Sequence, residues 1–369
     1  MQRELSAILA PVAMAAGCTL ALLLAYLLAA EWRPGAIAAT AVLPAKRSSG
    51  RPKASSAAEM ASDHPERPSR LSLLTWNIGY AGLDASADFF LDGGTGIRPA
   101  SRALVERNLH AQAEYLRQRP ADLVLLQEVD RNSTRSFGTD QAGVLSSVLP
   151  QHERARALNL RIPWIPYPIL HPLGRFESGM LSLSRFPMTA AWRRQLPGAF
   201  PWPQRVFYPK RCLHEIRFPA PDGHDWVVIG LHLTTFDRGG RIRLREMACV
   251  RELLLELHRR GDHVIVGGDW NQALPGVDER LFPSTAPTPS WFQTVPPDWT
   301  PPGWRWALDR AVPSLRATDR PYAPGFNFLT ILDGFLVGPG IEIVSVETDD
   351  LQFAHSDHQP VRCEVTLPG

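Results

Sequence analysis

The chain has 369 residues, of which 44% are hydrophobic and 21% charged, so it can bury a large core and is not a disordered or fibrous protein. Its 39 Lys and Arg residues nearly balance 37 Asp and Glu residues, for a formal net charge of +2. That balance excludes the bulk electrostatics of a nucleic-acid coat protein or a polybasic lipid binder. Four widely separated cysteines form neither a disulfide framework nor a CxxC site.

The first segment, residues 1–31, carries no charged side chain from Ser6 to Ala30. A helix of that length crosses a hydrocarbon core of about 30 Å at ~1.5 Å per residue. The run is longer than the apolar part of a cleaved signal peptide, about 7–15 residues. We therefore expect an N-terminal transmembrane helix and a membrane location. The positive-inside rule and the signal-like position of the run give opposite topologies, so the side that the remainder faces stays open.

Residues 32–69 are rich in Ala, Ser, Pro and Arg without apolar periodicity, which predicts a flexible linker. From residue 70 to 369 the pattern predicts one catalytic domain with a Pro- and Trp-rich insert at 275–324. Apolar runs predict buried strands, and a 3.6-residue period predicts two helices, which together favour sheets covered on both faces. The predicted strands are 71–76, 122–128, 180–184, 226–233, 263–267, 333–337, 341–346 and 360–365, and the predicted helices are 101–119 and 241–260.

Polar side chains able to bind a metal recur where these apolar strands end. The set comprises three carboxylates, two asparagines and two histidines: Glu128, Asp269, Asp357, Asn77, Asn271, His232 and His358. Functional sites collect at strand ends in α/β folds. An oxygen-rich set suits Mg²⁺ or Mn²⁺ and leaves the imidazoles free for proton transfer or phosphate contact. Tetrahedral zinc is disfavoured because no HxxxH motif or cysteine pair is present.

Six short motifs containing these residues stand in a recognisable order. They are Thr75-Trp76-Asn77-Ile78, Leu126-Gln127-Glu128-Val129, Gly230-Leu231-His232-Leu233, Gly268-Asp269-Trp270-Asn271, Leu332-Asp333-Gly334-Phe335 and Ser356-Asp357-His358-Gln359. Over about residues 70–367 the chain resembles the endonuclease/exonuclease/phosphatase superfamily, which includes deoxyribonuclease I, neutral sphingomyelinases and inositol polyphosphate 5-phosphatases. The resemblance implies a four-layered α/β/β/α sandwich with two central mixed sheets, and metal-dependent phosphoester hydrolysis.

The resemblance also implies roles for individual residues. Glu128 corresponds to the principal Mg²⁺ ligand, with Asn77 and Asp357 completing or adjoining its shell. Asp269 corresponds to the residue that activates water, and Asn271 to a phosphate contact. The remaining correspondences are His358 as the histidine on the scissile phosphate, Asp333 as the carboxylate that orients it, His232 as a second histidine, and Glu177 as a possible partner of His232.

Each of these residues taken alone has an ordinary structural explanation. A single carboxylate at a strand end, such as Glu128 or Asp333, is more often solvated or a helix cap. His232 between two leucines could be a core histidine with its hydrogen bonds satisfied. Asp269 and Asn271 could form an Asx turn. The conjunction of motifs, and no single residue, carries the prediction of a phosphoesterase site.

Two hypotheses about the substrate are nearly equally supported by the sequence. Basic and aromatic residues alternate from Trp192 to Arg217, and Arg205, Lys210 and Arg211 within this strip could bind a phosphate backbone. A nucleic-acid substrate therefore stands marginally first. The alternative is a phospholipid headgroup, favoured by the predicted anchor and by tryptophans of the insert that could lie at a membrane interface, unless that insert is a lid packing its own tryptophans. A small-molecule phosphatase and a non-catalytic binding module are less favoured.

Overall fold

The computed structural model describes residues 2–45, 67–237 and 239–368, in which strands outnumber helices. The helices are α1 (Gln2–Ala30), α2 (Arg102–Gln118), α3 (Gln141–Ser147) and α4 (Arg241–Arg259). The strands are β1 (Ile37–Ala39), β2 (Arg70–Asn77), β3 (Leu123–Asp130), β4 (Glu153–Ile165), β5 (Gly174–Ser184), β6 (Ala190–Gln195), β7 (Cys212–Pro219), β8 (Asp225–His232), β9 (His263–Asp269), β10 (Arg305–Ala307), β11 (Leu315–Arg316), β12 (Leu329–Thr330), β13 (Asp333–Val337), β14 (Glu342–Thr348) and β15 (Val361–Thr366).

Two large mixed sheets form the centre of the fold. One has seven strands in the order β1-β6-β7-β8-β9-β13-β10, and the other has six in the order β14-β15-β2-β3-β5-β4. Within them β2 runs parallel to β3, and β8 runs parallel to β9, while the other pairs are antiparallel. The mixed α/β fold with two large sheets that the sequence predicts is confirmed.

Alternation along each central strand explains the layering. In β2, Leu71 and Leu73 enter the core between the sheets, whereas Leu74 and Trp76 point to the outer face. That outer face is covered by α2 and α3, and the outer face of the other sheet is covered by α4. The predicted helices at 101–119 and 241–260 correspond to α2 and α4.

Part of the stretch predicted as a flexible linker is ordered. Strand β1 pairs with β6 at the edge of the seven-stranded sheet, and Leu43 forms a bridge to Arg154 of β4 in the other sheet. This segment thus joins the outer edges of both sheets, because its backbone supplies hydrogen bonds that the edge strands lack. The remainder of the predicted linker, residues 46–66, lies outside the described residues.

Helix α1 is docked onto the domain at its C-terminal end. Leu27 and Ala30 are buried in a cluster with Ile162 and Phe176, and the Tyr26 hydroxyl donates to the carbonyl of Trp164. In the described part of the chain, no helix has the length and apolar character needed to cross a membrane, so the predicted transmembrane helix is not confirmed.

Most tryptophans of the 275–324 insert are packed against the domain, as in the alternative of a lid that packs its own tryptophans, and do not form an exposed interfacial set. Trp299 and Trp304 are buried in the cluster under α4, and the Trp299 indole nitrogen donates to Met247 O at 2.9 Å. Trp306 stacks edge-on against the buried Trp270 at 4.7 Å between ring centroids. Packing these rings against the apolar face of α4 stabilises the fold more than placing them at a membrane interface would.

Replacing Trp299 with alanine should lower the free energy of unfolding by about 3–5 kcal/mol, because it leaves a cavity beneath α4 and removes the bond to Met247. Replacing Trp164, which is 47% exposed, with alanine should lower the free energy of unfolding far less. Chemical denaturation of both variants measures the difference. Equal losses would show that the insert does not contribute to the core.

One edge of the two sheets collects the ends of five strands that carry the predicted site. Strand β2 ends there with Asn77, and β3 carries Glu128 near its end. Strands β8 and β9 end there with His232 and Asp269, and β13 begins there with Asp333. Asp333 is opposite Asp269 in the β13–β9 register, and His232 is opposite Asp269 in the β8–β9 register. Parallel pairing thus places residues distant in sequence at the same edge.

Candidate active site

The cleft at this edge brings together the residues that the motifs predicted. Its lining includes both metal-competent and apolar side chains. Residues at its base are Asn77, Glu128, His232, Asp269, Asn271, Asp357 and His358, with Leu83, Phe89, Phe236, Trp291, Leu315 and Leu332 forming the apolar walls. Asp333 is outside this lining and is hydrogen-bonded to His358. The two sets together give a polar floor within apolar walls, a common arrangement of ligand sites.

Buried hydrogen bonds hold His358 in one orientation. Its Nδ1 lies 2.8 Å from Asp333 Oδ2, which also accepts a bond from the Ser314 hydroxyl at 2.8 Å. The indole of Trp76 donates to the His358 carbonyl at 2.9 Å. Burial works against protonation of the ring, but the carboxylates of Asp333 and Asp269 outweigh it and raise the pKa of His358 to about 10. The ring is therefore an imidazolium directed at the cleft near neutral pH.

Asp269 is a buried carboxylate surrounded by hydrogen-bond donors. It accepts from Asn77 Nδ2 at 3.0 Å and from the Asn271 backbone N–H at 2.8 Å. Its Oδ2 lies 3.3 Å from His232 Nε2 and 3.8 Å from His358 Nε2. Burial raises the pKa of Asp269 and Asp333 adds to the increase, whereas the His358 imidazolium lowers it. The geometry holds this carboxylate still, as a base that must orient a water requires.

Glu128 and Asp357 form a separate pair of carboxylates in the cleft. Glu128 adopts a left-handed backbone conformation, φ +56°, at an irregularity in the β3–β5 pairing. Burial raises the pKa of Asp357 to about 7, with His358 opposing the shift and the Glu128 charge adding to it. Asp357 also crowds Gly79, where an added Cβ would lie 2.8 Å from Asp357 Oδ1. A side chain there would displace the carboxylate.

The donor set fits a hard divalent cation. Glu128 and Asp357 supply carboxylate oxygens and Asn77 an amide oxygen, the ligands that Mg²⁺ and Mn²⁺ prefer. Burial and the Glu128 charge both raise the pKa of Asp357, and a cation bound by the two carboxylates would offset both effects. Asp269, Asp333 and His358 also have ligand atoms within 4.8 Å of one another, but His358 Nδ1 is hydrogen-bonded to Asp333, and Asp269 accepts bonds from Asn77 and the Asn271 N–H.

His232 lies beside Asp269 with one ring nitrogen available. The residue is 3% exposed, and its Nδ1 has no hydrogen-bond partner among the described residues. Burial lowers the pKa of His232 well below its usual value, and the nearby Arg211 and His358 charges lower it further. Because His232 lines the cleft, its neutral imidazole can contact a substrate oxygen.

Glu177 does not pair with His232, contrary to the sequence expectation. Its Oε1 accepts from Arg156 Nη1 at 3.1 Å, and Arg131 lies 4.0 Å away. Glu177 lies on β5 opposite Arg161 of β4, and Arg156 is on the same strand as Arg161. The register of the β4–β5 hairpin therefore places Glu177 beside basic side chains. Glu177 therefore stabilises the hairpin and stays outside the cleft.

Two of the three residues predicted to bind substrate have another role. Arg205 Nε donates to Glu31 Oε1 at 2.7 Å, and Lys210 Nζ donates to the Arg205 carbonyl. Both thereby fasten the end of α1 to the domain, and burial lowers the pKa of Lys210. Arg211 is different: it is 8% exposed and acts electrostatically on Glu128 and Asp269 from the start of β7. Of the three, Arg211 alone borders the site.

The rest of the basic strip is also engaged within the domain. Arg193 is buried and donates to the carbonyls of Leu158 and Lys210. Arg194 and Arg217 both pair with the buried Glu215. A strip that could track a phosphate backbone would need cations free to leave these contacts.

Arg135 is a site residue that the sequence motifs do not indicate. Its guanidinium lies 3.7 Å from the centre of the Tyr80 ring and bridges to Asp130 at 3.0 Å and Glu128 at 3.4 Å. The contact with Glu128 holds that carboxylate toward the cleft. Arg135 lies in the loop after β3, where no strand ending or short motif signals it.

Arg243 is a second residue of this kind. It lies on α4 with its side chain fully buried, and it donates to the Asn271 carbonyl and, at 3.4 Å, to the Trp291 carbonyl. Asn271 itself is in a left-handed conformation, φ +50°. Arg243 therefore supports the strained turn that carries Asp269 and Asn271. In the sequence it belongs to an arginine-rich helix start and has no distinguishing pattern.

Comparison with known proteins agrees with this geometry. The model of the endonuclease/exonuclease/phosphatase family matches residues 74–358. A search of curated protein sequences found no match. Among solved structures, an endonuclease/exonuclease/phosphatase from Beutenbergia cavernae DSM 12333 is similar at 19% identity and a TM-score of 0.55, covering 82% of this chain and 72% of that one.

Two further solved structures are similar at lower identity. TDP2 from D. rerio complexed with single-strand DNA product has 13% identity and a TM-score of 0.50, covering 81% of this chain and 100% of that one. The catalytic domain of human Nocturnin with bound sulfate has 14% identity and a TM-score of 0.48, covering 83% and 96%. The family match spans most of the chain and includes every motif of the cleft. The chain belongs to the endonuclease/exonuclease/phosphatase family of phosphoester-hydrolysing enzymes.

Proposed function

We propose that the chain is a divalent-metal-dependent phosphodiesterase, attached to a membrane through α1, that hydrolyses the headgroup phosphodiester of a phospholipid. The observation that carries the hydrolytic part is the conjunction in one cleft of the Asp333–His358 pair, the buried Asp269 carboxylate and the carboxylates of Glu128 and Asp357. An anionic phosphodiester needs its charge compensated, a water delivered in line and a departing oxygen stabilised. The cleft holds a group for each task.

Asp269 is the group that orients and deprotonates the attacking water. Its oxygens are held by Asn77 and by Asn271, so the carboxylate does not have to reorganise when a proton moves to it. The His358 imidazolium, 3.8 Å from Asp269, keeps the carboxylate ionised until it accepts that proton. General-base assistance of this type contributes about 10²–10⁴-fold to the rate.

His358 and His232 contact the phosphate in this proposal. Protonated His358, fixed by Asp333, balances charge on a non-bridging oxygen. Neutral His232, which lines the cleft beside Asp269, hydrogen-bonds an oxygen of the phosphate or the leaving group. A Mg²⁺ or Mn²⁺ ion, when bound by Glu128, Asp357 and Asn77, supplies further positive charge to the phosphate oxygens.

The lipid substrate is favoured by α1. Six apolar side chains of the uncharged run in α1 are 45–72% exposed: Met14, Leu20, Leu22, Leu23, Leu24 and Leu28. An exposed apolar surface of this extent marks an interaction site, and the apolar layer of a lipid surface is a partner of matching chemistry. The nucleic-acid hypothesis depended on the basic strip from Trp192 to Arg217, in which the cations other than Arg211 are occupied by internal contacts.

Side-by-side hydrolysis assays test this proposal. The full-length protein is offered phospholipid vesicles, supercoiled plasmid and the soluble diester bis(p-nitrophenyl) phosphate, each with Mg²⁺ or EDTA. We expect Mg²⁺-dependent cleavage of the vesicle lipid and of the soluble diester, and none of it from a Glu128→Ala/His358→Ala double variant. Plasmid cleavage in place of lipid cleavage would make the enzyme a nuclease. Equal rates in EDTA would contradict metal dependence.

A further inference from the structure

The hairpin between β4 and β5 ends in an apolar tip that projects into solvent. Residues 164–170 read Trp-Ile-Pro-Tyr-Pro-Ile-Leu and contain no charged side chain. Ile169 and Leu170 are each 86% exposed, Tyr167 63% and Trp164 47%. A cluster of this kind is an unfavourable surface in water, at about 25 cal/mol for each Å² of apolar area. We call residues 164–170 the hairpin tip.

The hairpin tip is held away from the body of the domain by its own structure. The N–H of His171 donates to Pro168 O at 3.1 Å, and that of Leu173 donates to Tyr167 O at 3.0 Å. At the base of the tip, Ile165, together with Phe176 of β5, is buried in the cluster that also contains Leu27 of α1. The base is therefore anchored while Ile169 and Leu170 have no apolar surface of the domain to cover.

The tip lies at the same edge of the sheets as the cleft. Strand β3 reaches that edge at its C-terminal end, where Val129 is opposite Gly179 of β5. The β4–β5 ladder continues beyond this point to the pair Ile165–Gly174. From Gly179 to Gly174 is about 16 Å at ~3.3 Å per residue, so the tip projects past the floor of the cleft.

Helix α1 arrives at this edge as well. β1, which follows α1, begins opposite Arg194 near the end of β6, and β7, paired with β6, begins at the cleft with Cys212. The Tyr26 hydroxyl bonds the carbonyl of Trp164 at the base of the tip, and Glu31 is held by Arg205. The exposed apolar side chains of α1 and the hairpin tip are thus fixed relative to each other and to the cleft.

The residues around the tip are ordered as in a membrane interface. The aliphatic Ile169 and Leu170 are outermost, the amphipathic Tyr167 and Trp164 come next, and exposed arginines at 161 and 175 stand at the base of the hairpin. Aromatic residues favour the headgroup level, and basic residues favour the anionic surface behind it. This order matches the depth profile of a lipid monolayer.

We propose that the hairpin tip inserts into the interfacial layer of a lipid bilayer beside α1 and turns the cleft toward that lipid surface. The inference deepens the proposed function and rests on its membrane attachment. With two rigidly connected contacts at the cleft edge, the domain has a defined orientation on the membrane. Headgroup phosphodiesters are then presented to the cleft without a lipid leaving the bilayer.

Environment-sensitive fluorophores placed at three positions test this insertion in the full-length protein. A nitrobenzoxadiazole label is attached to Ile169→Cys in the tip, to Leu24→Cys in α1, or to Pro221→Cys in the β7–β8 turn at the opposite edge. The background carries Cys18→Ser and Cys249→Ser, because these are the less buried of the four native cysteines. Vesicles of phosphatidylcholine and phosphatidylglycerol are then added, with and without spin-labelled lipid as a quencher.

We expect a blue shift and a several-fold rise in emission at 169 and 24, both reversed by the quencher, and no change at 221. A change at 24 without one at 169 would overturn the insertion of the hairpin tip while leaving membrane attachment intact. A change at 169 alone would keep the insertion and contradict attachment through α1. Equal changes at all three positions would mean nonspecific adsorption and overturn the proposed orientation.

A charge-insertion variant gives a readout that depends on activity. Ile169→Asp/Leu170→Asp should lower the rate on vesicle lipid at least tenfold and leave the rate on bis(p-nitrophenyl) phosphate unchanged, because both side chains are 86% exposed and far from the cleft floor. Val344→Asp on β14, at the opposite outer edge of the same sheet and 47% exposed, is the matched control and should change neither rate. Unchanged lipid hydrolysis in the double variant would overturn the proposal.

Discussion

Replacing Asp269 with asparagine is expected to lower kcat by about 10²–10⁴-fold on a soluble phosphodiester, the range that a lost general base costs. The amide has nearly the same shape but cannot take the proton of the attacking water. Both oxygens of Asp269 accept hydrogen bonds, one from Asn77 Nδ2 and the other from the Asn271 N–H. In the variant the NH₂ group must face one of these donors, which is unfavourable. Steady-state kinetics at saturating Mg²⁺ measure the effect.

The matched control for that experiment is Asp222→Asn. Asp222 lies in the β7–β8 turn at the edge opposite the cleft and is 2.8 Å from His263 Nε2, so it also makes a carboxylate–histidine contact. Its loss should leave kcat within about twofold, as for a surface substitution. A thermal melt of each variant separates lost chemistry from lost fold. An Asp269→Asn protein that melts normally and retains its turnover would contradict the role of Asp269.

Replacing Glu128 with glutamine is expected to raise the Mg²⁺ concentration for half-maximal activity by more than about 100-fold. Second-sphere partners of a metal site already cost about 10–100-fold in metal affinity, and a directly binding carboxylate should cost more. The substitution also removes the negative charge that Arg135 holds in place and that raises the pKa of Asp357. Activity measured against Mg²⁺ and Mn²⁺ concentration, together with calorimetric binding of either ion, reports the change.

Glu177→Gln provides the comparison for Glu128. Both glutamates pair with arginine at the same end of the six-stranded sheet, but Glu177 bonds Arg156 outside the cleft. We expect its activation curve to match that of the unmodified protein. If Glu177→Gln shifts the curve and Glu128→Gln does not, the assignment of the metal ligands is reversed.

The sequence predicts most of the cleft because several of its side chains lie at or near the ends of apolar strands. Asn77, Glu128, His232 and Asp269 all stand where a buried strand ends, and the parallel pairs β2–β3 and β8–β9 carry such residues to a common edge. The remaining members, Asp333 and His358, are identified by motif order. Strand periodicity and motif spacing can both be recognised from a short stretch of sequence. The placement of these residues in the cleft follows mainly from those two signals.

The features that the sequence does not predict depend on contacts distant along the chain. Strand β4 escapes detection because its inward positions include Ala155 and Ala157, which give a weak apolar signal between outward-facing arginines. Glu177 is misassigned because its partner is decided by the register of the β4–β5 hairpin. Arg135 reaches Glu128 through the path of a loop, which no periodicity encodes.

The exposed apolar surface is also in a different place from the one that composition suggests. The 275–324 insert has the aromatic content of an interfacial segment, but α4 provides an apolar face that covers Trp299 and Trp304. The run at 164–170 has similar content and no such cover, so it stays exposed. Burial of an aromatic residue is decided by its neighbours in space, and those neighbours are set by the tertiary fold.

The central claim is that the cleft hydrolyses a phosphodiester by attack of water on phosphorus with the help of a divalent cation. Mass spectrometry of the products formed from phospholipid vesicles in ¹⁸O-labelled water, with Mg²⁺ or EDTA, tests it directly. The account predicts one ¹⁸O atom in the phosphate-bearing product, formed only with Mg²⁺ and absent with the Asp269→Asn protein. Label in the alcohol product, or product formed equally in EDTA, would contradict it.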